Sequence, residues 1–285
     1  MSVMQAASDA VAAPATTAPA GRRRRPRLLW RVLPPVGVFA LIIGAWYYIS
    51  YGVLSQSRRF LLPPPDQIIE VGFGDPKNFD ALMRGLGLTT EVALLGLAIA
   101  IVVGVGAAVL MSQAKWLELS LYPWAVILQT IPILALVPLI ALWLGFGFES
   151  RLLVCVLIAL FPIIANTLFG LQSADAGMRD LFRLHGAGRA TVLFKLMFPA
   201  GLPAMFAGFR ISAGLSVIGA LVGDLFFKQG KPGLGILIDV YRSRLQTEQM
   251  YAAVILASLL GIAVFVFFGW LGRQVVGKWY QAGRG

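Results

Sequence analysis

The chain has 285 residues, of which 58% are hydrophobic and 13% are charged, and its net charge is +11. A soluble domain carries about 25% charged residues, so these charges are too few for a water-facing surface of this size. The basic residues stand between long apolar runs, as in the cytoplasmic loops of a membrane protein. We therefore exclude a soluble globular protein and expect a lipid bilayer, and no nucleic acid, as its surroundings.

The N-terminal residues 1–31 are predicted to form a disordered, basic tail in the cytoplasm. Residues 1–21 are rich in Ala, Ser, Thr and Pro and lack periodicity, and five arginines follow within residues 22–27. Such a composition is typical of disorder, and a basic cluster before a span indicates the cytoplasmic side. Residues 32–54 are the first predicted transmembrane helix. Because this run is span-length and no small-x-small cleavage site follows it, an uncleaved anchor is favoured over a secretory signal.

The predicted core domain, residues 55–285, begins with a connection that contains the run Leu62-Pro63-Pro64-Pro65. Three prolines remove backbone donors and fix an extended path, so we expect a loop that leads into a short amphipathic helix. Long apolar runs then predict further transmembrane helices, which makes about six in an all-α polytopic protein with both termini in the cytoplasm. These five runs are residues 89–111, 120–144, 152–171, 204–227 and 250–271.

Small residues recur every fourth residue on three of the predicted spans. Because lipid gives helices no hydrophobic reason to associate, small residues mark the faces where backbones approach closely. We expect these faces to be packed against protein. They carry Gly96, Ala100, Gly104 and Ala108 on the second span, Gly219 and Gly223 on the fifth, and Ala253, Ala257 and Gly261 on the sixth. The single cysteine, Cys155, lies inside an apolar run and is interpreted as an inert core thiol.

Three prolines, Pro123, Pro132 and Pro138, stand in the third predicted span. Each removes one intrahelical hydrogen bond, so the span should bend or break. Carbonyl groups freed at membrane depth must be satisfied by protein or by a wet cavity. Polar residues on the spans are therefore candidates for a translocation pathway, although interhelical hydrogen bonding is an equally good interpretation. The candidates are Gln129, Thr130, Asn166, Ser212, Ser216 and Asp224.

Asp224 lies near the outer end of the fifth predicted span, and an acid at that depth is a functional candidate by default. Two alternatives remain open. The carboxylate could lie in the headgroup region, or it could pair with Lys228 one turn further along the chain. In the same topology Arg151 is counted as a charge of an outer loop.

A polar segment, residues 178–203, separates the fourth and fifth predicted spans. Residues 180–185 predict an amphipathic turn, the Gly-Ala-Gly run 186–188 interrupts it, and a second helical piece is predicted over 189–198, ending before Pro199. Such a helix pair lies at the lipid headgroups or docks into a groove on a soluble partner. The sequence leaves both interpretations open.

This segment resembles the cytoplasmic loop of ABC importer permeases. The pattern of that loop is Glu-Ala-Ala, three residues, Gly, nine residues, an aliphatic residue, any residue and Leu-Pro. Here Asp180 takes the acidic position, Gly186 the glycine and Leu196 the aliphatic position, and Phe198-Pro199 closes the motif. The chain departs from the pattern at Leu181, Phe182, His185 and Phe198, which puts the details of the docking contact in doubt.

Further stretches resemble the nitrate, sulfonate and taurine branch of the same family. The resemblance covers roughly residues 60–275 and strongly suggests the family but only weakly a substrate. The stretches are Leu62-Pro63-Pro64-Pro65, residues 131–139, Gly145-Phe146-Gly147 and Pro232-Gly233-Leu234-Gly235.

The resemblance implies a type I importer permease fold, in which the loop forms a coupling helix on a nucleotide-binding subunit. The chain lacks the G-x-x-x-x-G-K-[ST] loop that holds nucleotide phosphates, so ATP and Mg²⁺ are expected on a partner chain, with no cofactor and no metal here. Implied partners are a second permease copy, two ATP-binding subunits and an extracytoplasmic solute-binding protein, at a bacterial inner membrane. The residues implied in coupling are Asp180, Arg183, Gly186, Ala187, Arg189 and Pro199.

The sequence leaves several cargoes and several classes of protein to compare. A small anion such as nitrate, a sulfonate or taurine is the favoured cargo, and a vitamin or a pyrimidine precursor is the alternative. An ion-coupled secondary carrier is less favoured, because acids inside the spans are scarce and no internal repeat is evident. An intramembrane enzyme is disfavoured, because the single histidine, His185, lies in a predicted loop.

Overall fold

The computed structural model describes the backbone of residues 28–280 and the side chains of residues 33–277. The chain divides into two units, of which the first ends at Ile49 and the second starts at Ser50. The predicted tail lies outside the described residues as far as residue 27. In the first unit, helix α1 extends over Leu28–Tyr47.

The second unit is helical throughout its regular structure, as far as the described residues extend. After a π-helical turn and a 3₁₀ turn at its start, the proline run leads into the short helix α2 and a second π-helical turn, Ile68–Gly74. The helices of this unit are α2 (Pro65–Gln67), α3 (Pro76–Gln113), α4 (Lys115–Thr130), α5 (Ile133–Leu144), α6 (Phe148–Gln172), α7 (Ala176–Leu184), α8 (Arg189–Val192), α9 (Phe198–Phe226), α10 (Leu234–Ser243) and α11 (Thr247–Tyr280).

Five helical runs of the described chain are long and apolar enough to cross a membrane, and α4 with α5 makes a sixth if the bent pair counts as one span. The predicted all-α fold with about six spans is therefore confirmed. Several helices are longer than the bilayer requires. Helix α3 has 38 residues, which at about 1.5 Å per residue exceeds the ~30 Å hydrocarbon core by almost twofold.

The third predicted span is broken at Pro132, as expected. Helix α4 ends at Thr130 and α5 begins at Ile133, and the two axes differ by 98°. A proline disfavours helical geometry at the residue before it, and both Ile131 and Pro132 have extended ψ angles, 124° and 114°. The other two prolines stand inside α4 and α5 without ending them.

The core of the second unit is formed where α6 packs between α3 and α9. The expectation that the small-residue faces pack against protein is confirmed for α3 and α9, whose predicted small residues are all buried. On α11 the two alanines are buried and Gly261 is half-buried. A Cβ atom on Gly104 would lie 2.8 Å from the side chain of Ile163, and one on Gly219 would lie 2.8 Å from Cα of Cys155. A side chain of α6 therefore packs directly on the backbone of α3 at Gly104, and the backbones of α6 and α9 meet at Gly219; a larger residue would prevent both contacts.

Substitution of Gly219 by valine is expected to push α6 and α9 apart. Overpacking of a tight core costs about 1–3 kcal/mol, and the neighbour here is the backbone of Cys155, which cannot rotate away. Gly214 is the matched control on the same helix, because a Cβ atom there meets nothing within 4 Å. In thermal unfolding, Gly219→Val should lower the midpoint clearly and Gly214→Val should not. Equal midpoints for the two variants would contradict the close crossing.

The predicted end of the second helical piece before Pro199 is wrong. Helix α8 continues through a π-helical turn, Leu193–Met197, directly into α9, so that one helical run extends over Arg189–Phe226. A π-helical turn shifts the hydrogen-bonding register, and Pro199 stands among the first residues of α9. The π-helical turn directly before Pro199 changes which N–H and carbonyl groups pair, and this accommodates the missing proline N–H inside a continuous helical run.

Candidate functional site

The first candidate site is the segment formed by α7, the Gly186 turn and α8. Asp175 caps α7, since its carboxylate accepts a hydrogen bond from the Met178 amide at 2.9 Å. Arg179 donates to the carbonyl oxygens of Leu171 and Gln172 at 3.1 and 2.8 Å. These bonds satisfy the last carbonyl groups of α6 and tie α7 to the end of that helix.

Gly186 reverses the chain between α7 and α8. Its φ of +69° lies in the left-handed region, which a glycine adopts without the strain that a Cβ atom causes. The amides of Gly186 and Ala187 donate to carbonyl oxygens of the last turn of α7, at 2.9 Å in both bonds. The glycine predicted from the loop motif therefore has a defined role in the backbone.

One side of the segment is fixed and the other is open. Leu193 and Met197 are buried against Leu171 and Ala174 at the end of α6. The opposite side leaves apolar side chains exposed, among them Leu181 at 45% and Leu184 at 85%. The open side forms a cavity of about 390 Å³ that is lined by Leu181, Phe182, His185, Ala187, Thr191 and Lys195.

The charged residues predicted for coupling lie at the surface of this segment. Asp180 and Arg183 form an exposed ion pair of 3.5 Å, and Arg189 is exposed at the start of α8. Exposed pairs of this kind contribute little to stability, so both side chains are free to exchange partners. Pro199 is half-buried and lies away from the open side, at the start of α9.

The second candidate site lies at the break between α4 and α5. A cavity of about 260 Å³ is lined by Gln129 and Ile131, by Pro162 of α6 and by Leu215 of α9, among other apolar residues. Gln129 and Thr130 are both exposed at this break. The Thr130 hydroxyl donates to the Ile127 carbonyl oxygen at 2.9 Å, so only the Gln129 amide is left as a polar group for a solute.

Three other pathway candidates lie in the contact between α6 and α9. Ser212 donates to the Ala159 carbonyl oxygen of α6 at 2.6 Å, and Ser216 donates to Ala213 within its own helix at 2.9 Å. Asn166 donates to the Pro162 carbonyl oxygen at 2.8 Å. Both serines are fully buried. Of the three bonds, only that of Ser212 joins the two helices and fits the interhelical alternative that the sequence left open. The place of all three residues in a pathway stays a prediction.

Asp224 lies in a buried polar cluster at the C-terminal end of α9. Its carboxylate is 3.1 Å from the guanidinium of Arg151, and the two side chains are 0% and 1% exposed. The Thr89 hydroxyl of α3 donates to the same carboxylate at 3.0 Å and accepts from the Leu234 amide at 2.8 Å. We call Thr89, Arg151 and Asp224 the α3–α6–α9 cluster.

Arg151 also holds the connection between α9 and α10. Its three guanidinium nitrogens donate to the carbonyl oxygens of Phe227, Gln229 and Lys231, at 2.7, 2.8 and 3.0 Å. Each guanidinium nitrogen thus has a carbonyl acceptor and the charge has a carboxylate partner, and a buried charge is tolerated when it is paired and hydrogen-bonded. The cluster therefore fixes the position of this connection relative to three helices.

The glycines of Pro232-Gly233-Leu234-Gly235 are explained by the same cluster. A Cβ atom on Gly233 would lie 2.6 Å from Cγ of Asp224. A Cβ atom on Gly235 would lie 2.6 Å from Cβ of Asp224. The connection passes so close to the carboxylate that only glycine fits at both positions.

The predicted alternative of an Asp224–Lys228 pair is wrong. Lys228 instead forms an ion pair with Asp239 of α10, which also contacts Arg242. Hydrogen bonds from these two cations lower the pKa of Asp239 below its ordinary value. Arg151, counted as a loop charge, is buried in the protein. Neither Thr89 nor Arg151 is marked by a local sequence pattern, since their partners are distant in the chain.

The fold and the two sites define a class of protein before any relative is considered. This is a polytopic helical membrane protein with a broken span, a cavity at that break and an amphipathic segment with exposed apolar side chains. In the described residues, no three His, Cys, Asp or Glu side chains are grouped as a metal site.

Comparison with known proteins identifies the family. Residues 100–277 match the family described as "Binding-protein-dependent transport system inner membrane component". The chain belongs to this family, and the resemblance to ABC importer permeases is confirmed.

Individual transport proteins are also similar to this chain. A formylaminopyrimidine transport permease protein of Halalkalibacterium halodurans is 33% identical, over 83% of this chain and 92% of its own. A nitrate import permease protein of Synechocystis is 29% identical, over 86% of this chain and 90% of its own. Among solved structures, an amino acid ABC transporter shares the fold, with a TM-score of 0.53 and 18% identity over 71% of this chain and 95% of that one.

Proposed function

We propose that the chain forms half of the translocation pore of an ATP-driven importer, together with a second, identical copy. ATP is hydrolysed on two separate subunits, and a solute-binding protein delivers the cargo on the outer side. The segment formed by α7, the Gly186 turn and α8 is the coupling segment, on the cytoplasmic side, where both termini also lie.

The open side of that segment is the observation that carries this proposal. A helix with exposed Leu181 and Leu184 beside exposed Arg183 and Arg189 matches the pattern of an amphipathic helix that binds a groove. The cavity of about 390 Å³ on the same side offers a matching recess for a side chain of the partner. A helix that only covered its own protein would not leave this side open.

The continuous helix from Arg189 to Phe226 supplies a mechanical connection. It has 38 residues, which correspond to about 57 Å at 1.5 Å per residue. One end belongs to the coupling segment, and the other end carries Asp224 of the α3–α6–α9 cluster. Movement of an ATP-binding subunit would therefore be transmitted along α9 to the connection that Arg151 holds, which we place at the outer side.

The cargo that we favour is a small anion of the nitrate, sulfonate or taurine type, as for the nitrate import relative. A pyrimidine precursor is the second candidate, because a relative at 33% identity transports formylaminopyrimidine. The cavity at the break between α4 and α5 contributes an amide and apolar walls without a charged lining residue. Much of the selection between these solutes is therefore assigned to the solute-binding protein.

Reconstituted transport tests the proposal. The permease is co-expressed with a candidate ATP-binding subunit from the same genome, purified as a complex and placed in vesicles with a candidate solute-binding protein. Uptake of labelled taurine, nitrate or formylaminopyrimidine should require ATP, the binding protein and all subunits. Uptake by the permease alone, driven by an ion gradient, would show a secondary carrier and overturn the proposal.

A further inference from the structure

Two guanidinium groups line one groove between α9 and α11. Arg210 belongs to α9 and Arg273 to α11, and the groove has a volume of about 440 Å³. The remaining lining residues are apolar or glycine. They are Pro203, Phe206, Ala207, Phe268, Gly269, Gly272, Val276 and Gly277.

Arg210 lies well inside a membrane-spanning helix. It follows the start of α9 by twelve positions, about 18 Å at 1.5 Å per residue. Its guanidinium stands 4.0 Å from the centre of the Phe265 ring, and its Nε would be 3.1 Å from a Cβ atom on Gly269. Gly269 is one helical turn from Arg273, so the two arginines stand at neighbouring levels of the groove.

Neither arginine has an anionic partner among the described residues. No acidic residue occurs on α9 before Asp224, which is already paired with Arg151, or on α11 between Glu248 and the end of the described helix. The aromatic contact of Arg210 is worth about 0.5–2 kcal/mol. A charge at membrane depth costs at least about 2.5 kcal/mol. The groove therefore holds uncompensated positive charge.

We propose that this groove binds the phosphate headgroup of an anionic phospholipid from the inner leaflet. Guanidinium groups hold phosphate oxygens in bidentate geometry, and basic pockets between helices on the cytoplasmic side bind anionic lipid headgroups. Arg273 lies seven positions before the end of α11 at Tyr280, close to the headgroup level if the C-terminus is cytoplasmic. This placement rests on the proposed orientation of the chain.

The apolar walls favour a lipid over a free oxyanion. A phosphate or sulfate ion would neutralise the arginines but would leave Phe206, Phe268 and Val276 uncovered at the membrane. The glycerol and first methylene groups of a lipid would cover them. Gly269 and Gly272 let Arg210 and Phe206 of α9 lie close to the backbone of α11, which places the guanidinium in the groove.

Thermal unfolding of the purified full-length chain in detergent tests this site. Short-chain phosphatidylglycerol, short-chain phosphatidylcholine and sodium sulfate are titrated separately against wild type, Arg210→Gln, Arg273→Gln and the control Arg244→Gln. Arg244 is exposed and lies outside the membrane-spanning helices. Phosphatidylglycerol should raise the wild-type midpoint in a saturable manner, more than phosphatidylcholine does. Each groove variant should bind about fivefold more weakly, the effect of one cation at an anionic membrane surface, and Arg244→Gln should respond as wild type does.

Three outcomes would overturn the lipid assignment. The first is an equal response of wild type and both groove variants to phosphatidylglycerol. The second is a saturable shift with sulfate alone that equals the lipid shift, which would indicate a site for a free oxyanion. The third is a lower molecular mass of the groove variants in light scattering, which would assign the groove to contact with a second copy. Two variants are used so that poor folding of Arg210→Gln leaves Arg273→Gln, at the exposed end of the groove, to decide.

Discussion

Replacement of Asp224 by alanine is expected to destabilise the protein by about 3–5 kcal/mol, the range for removal of one partner from a buried ion pair. The reason is the position of Arg151, whose side chain is 1% exposed. Without the carboxylate, its charge remains buried with only carbonyl groups as acceptors. The Thr89 hydroxyl also loses its acceptor. Thermal or denaturant unfolding in detergent measures the change, with the amount of folded protein in the membrane as a second readout.

Three further variants are compared with Asp224→Ala for their loss of stability. Thr89→Val removes two hydrogen bonds, to the Asp224 carboxylate and from the Leu234 amide, and should cost about 1–3 kcal/mol because the buried amide is left unsatisfied. Asp239→Ala is the control, since it removes a carboxylate whose partners Lys228 and Arg242 are both exposed and keep contact with water, and ion pairs at the surface contribute about 0–1 kcal/mol each. The double variant Arg151→Met with Asp224→Leu should recover part of the stability lost in Asp224→Ala, because no buried charge remains. Equal stability of Asp224→Ala and Asp239→Ala would show that the cluster is not held as described.

Asp224→Asn tests the charge of the side chain apart from its size. The amide keeps the size of the carboxylate and can accept from Thr89, but it no longer pairs with the Arg151 charge. The unfolding midpoint should therefore fall, and uptake per folded transporter should fall as well if the connection between α9 and α10 must move during transport. Unchanged uptake together with unchanged stability would refute a functional role of Asp224.

Most of the fold could be predicted from the sequence because membrane spans are encoded locally. Apolar run length identified the spans, and Pro132 identified the break between α4 and α5. The small residues of α3 and α9 identified the faces that meet α6, because close backbone approach leaves few residue types possible. Each of these features is read within one stretch of the chain.

The α3–α6–α9 cluster could not be predicted in the same way. Arg151 and Asp224 are 73 positions apart, and their contact exists only after α6 and α9 have packed. From the sequence alone, Arg151 was indistinguishable from a charge in a loop, and Lys228 was the nearest cation to Asp224 along the chain. The predicted helix end before Pro199 was wrong for a related reason. The π-helical turn that accommodates this proline in a continuous helix is not marked by a simple sequence pattern.

Gly186→Pro is expected to abolish coupling between ATP hydrolysis and uptake while the protein stays folded in the membrane. Proline holds φ near −65°, whereas the turn requires +69°, so α7 and α8 cannot keep their relative orientation. The spans are not involved, because a substituent on Gly186 meets nothing within 4 Å. Loss of docking contacts at such an interface costs about 2–5 kcal/mol, and the low end of this range corresponds to about 30-fold weaker binding of the ATP-binding subunit.

Gly186→Ala and Gly188→Ala form the matched pair that isolates the backbone conformation. Both positions are open to a Cβ atom, but Gly188 has an ordinary φ of −69° and only Gly186 needs the left-handed region, which costs other residues roughly 1–2 kcal/mol. In vesicles that contain the complete transporter, solute uptake per ATP hydrolysed should fall strongly in Gly186→Pro, partly in Gly186→Ala and not in Gly188→Ala. Normal uptake by Gly186→Pro would contradict the assignment of this segment to coupling, because a loop that merely lies on the membrane surface can change its turn without disconnecting a partner subunit.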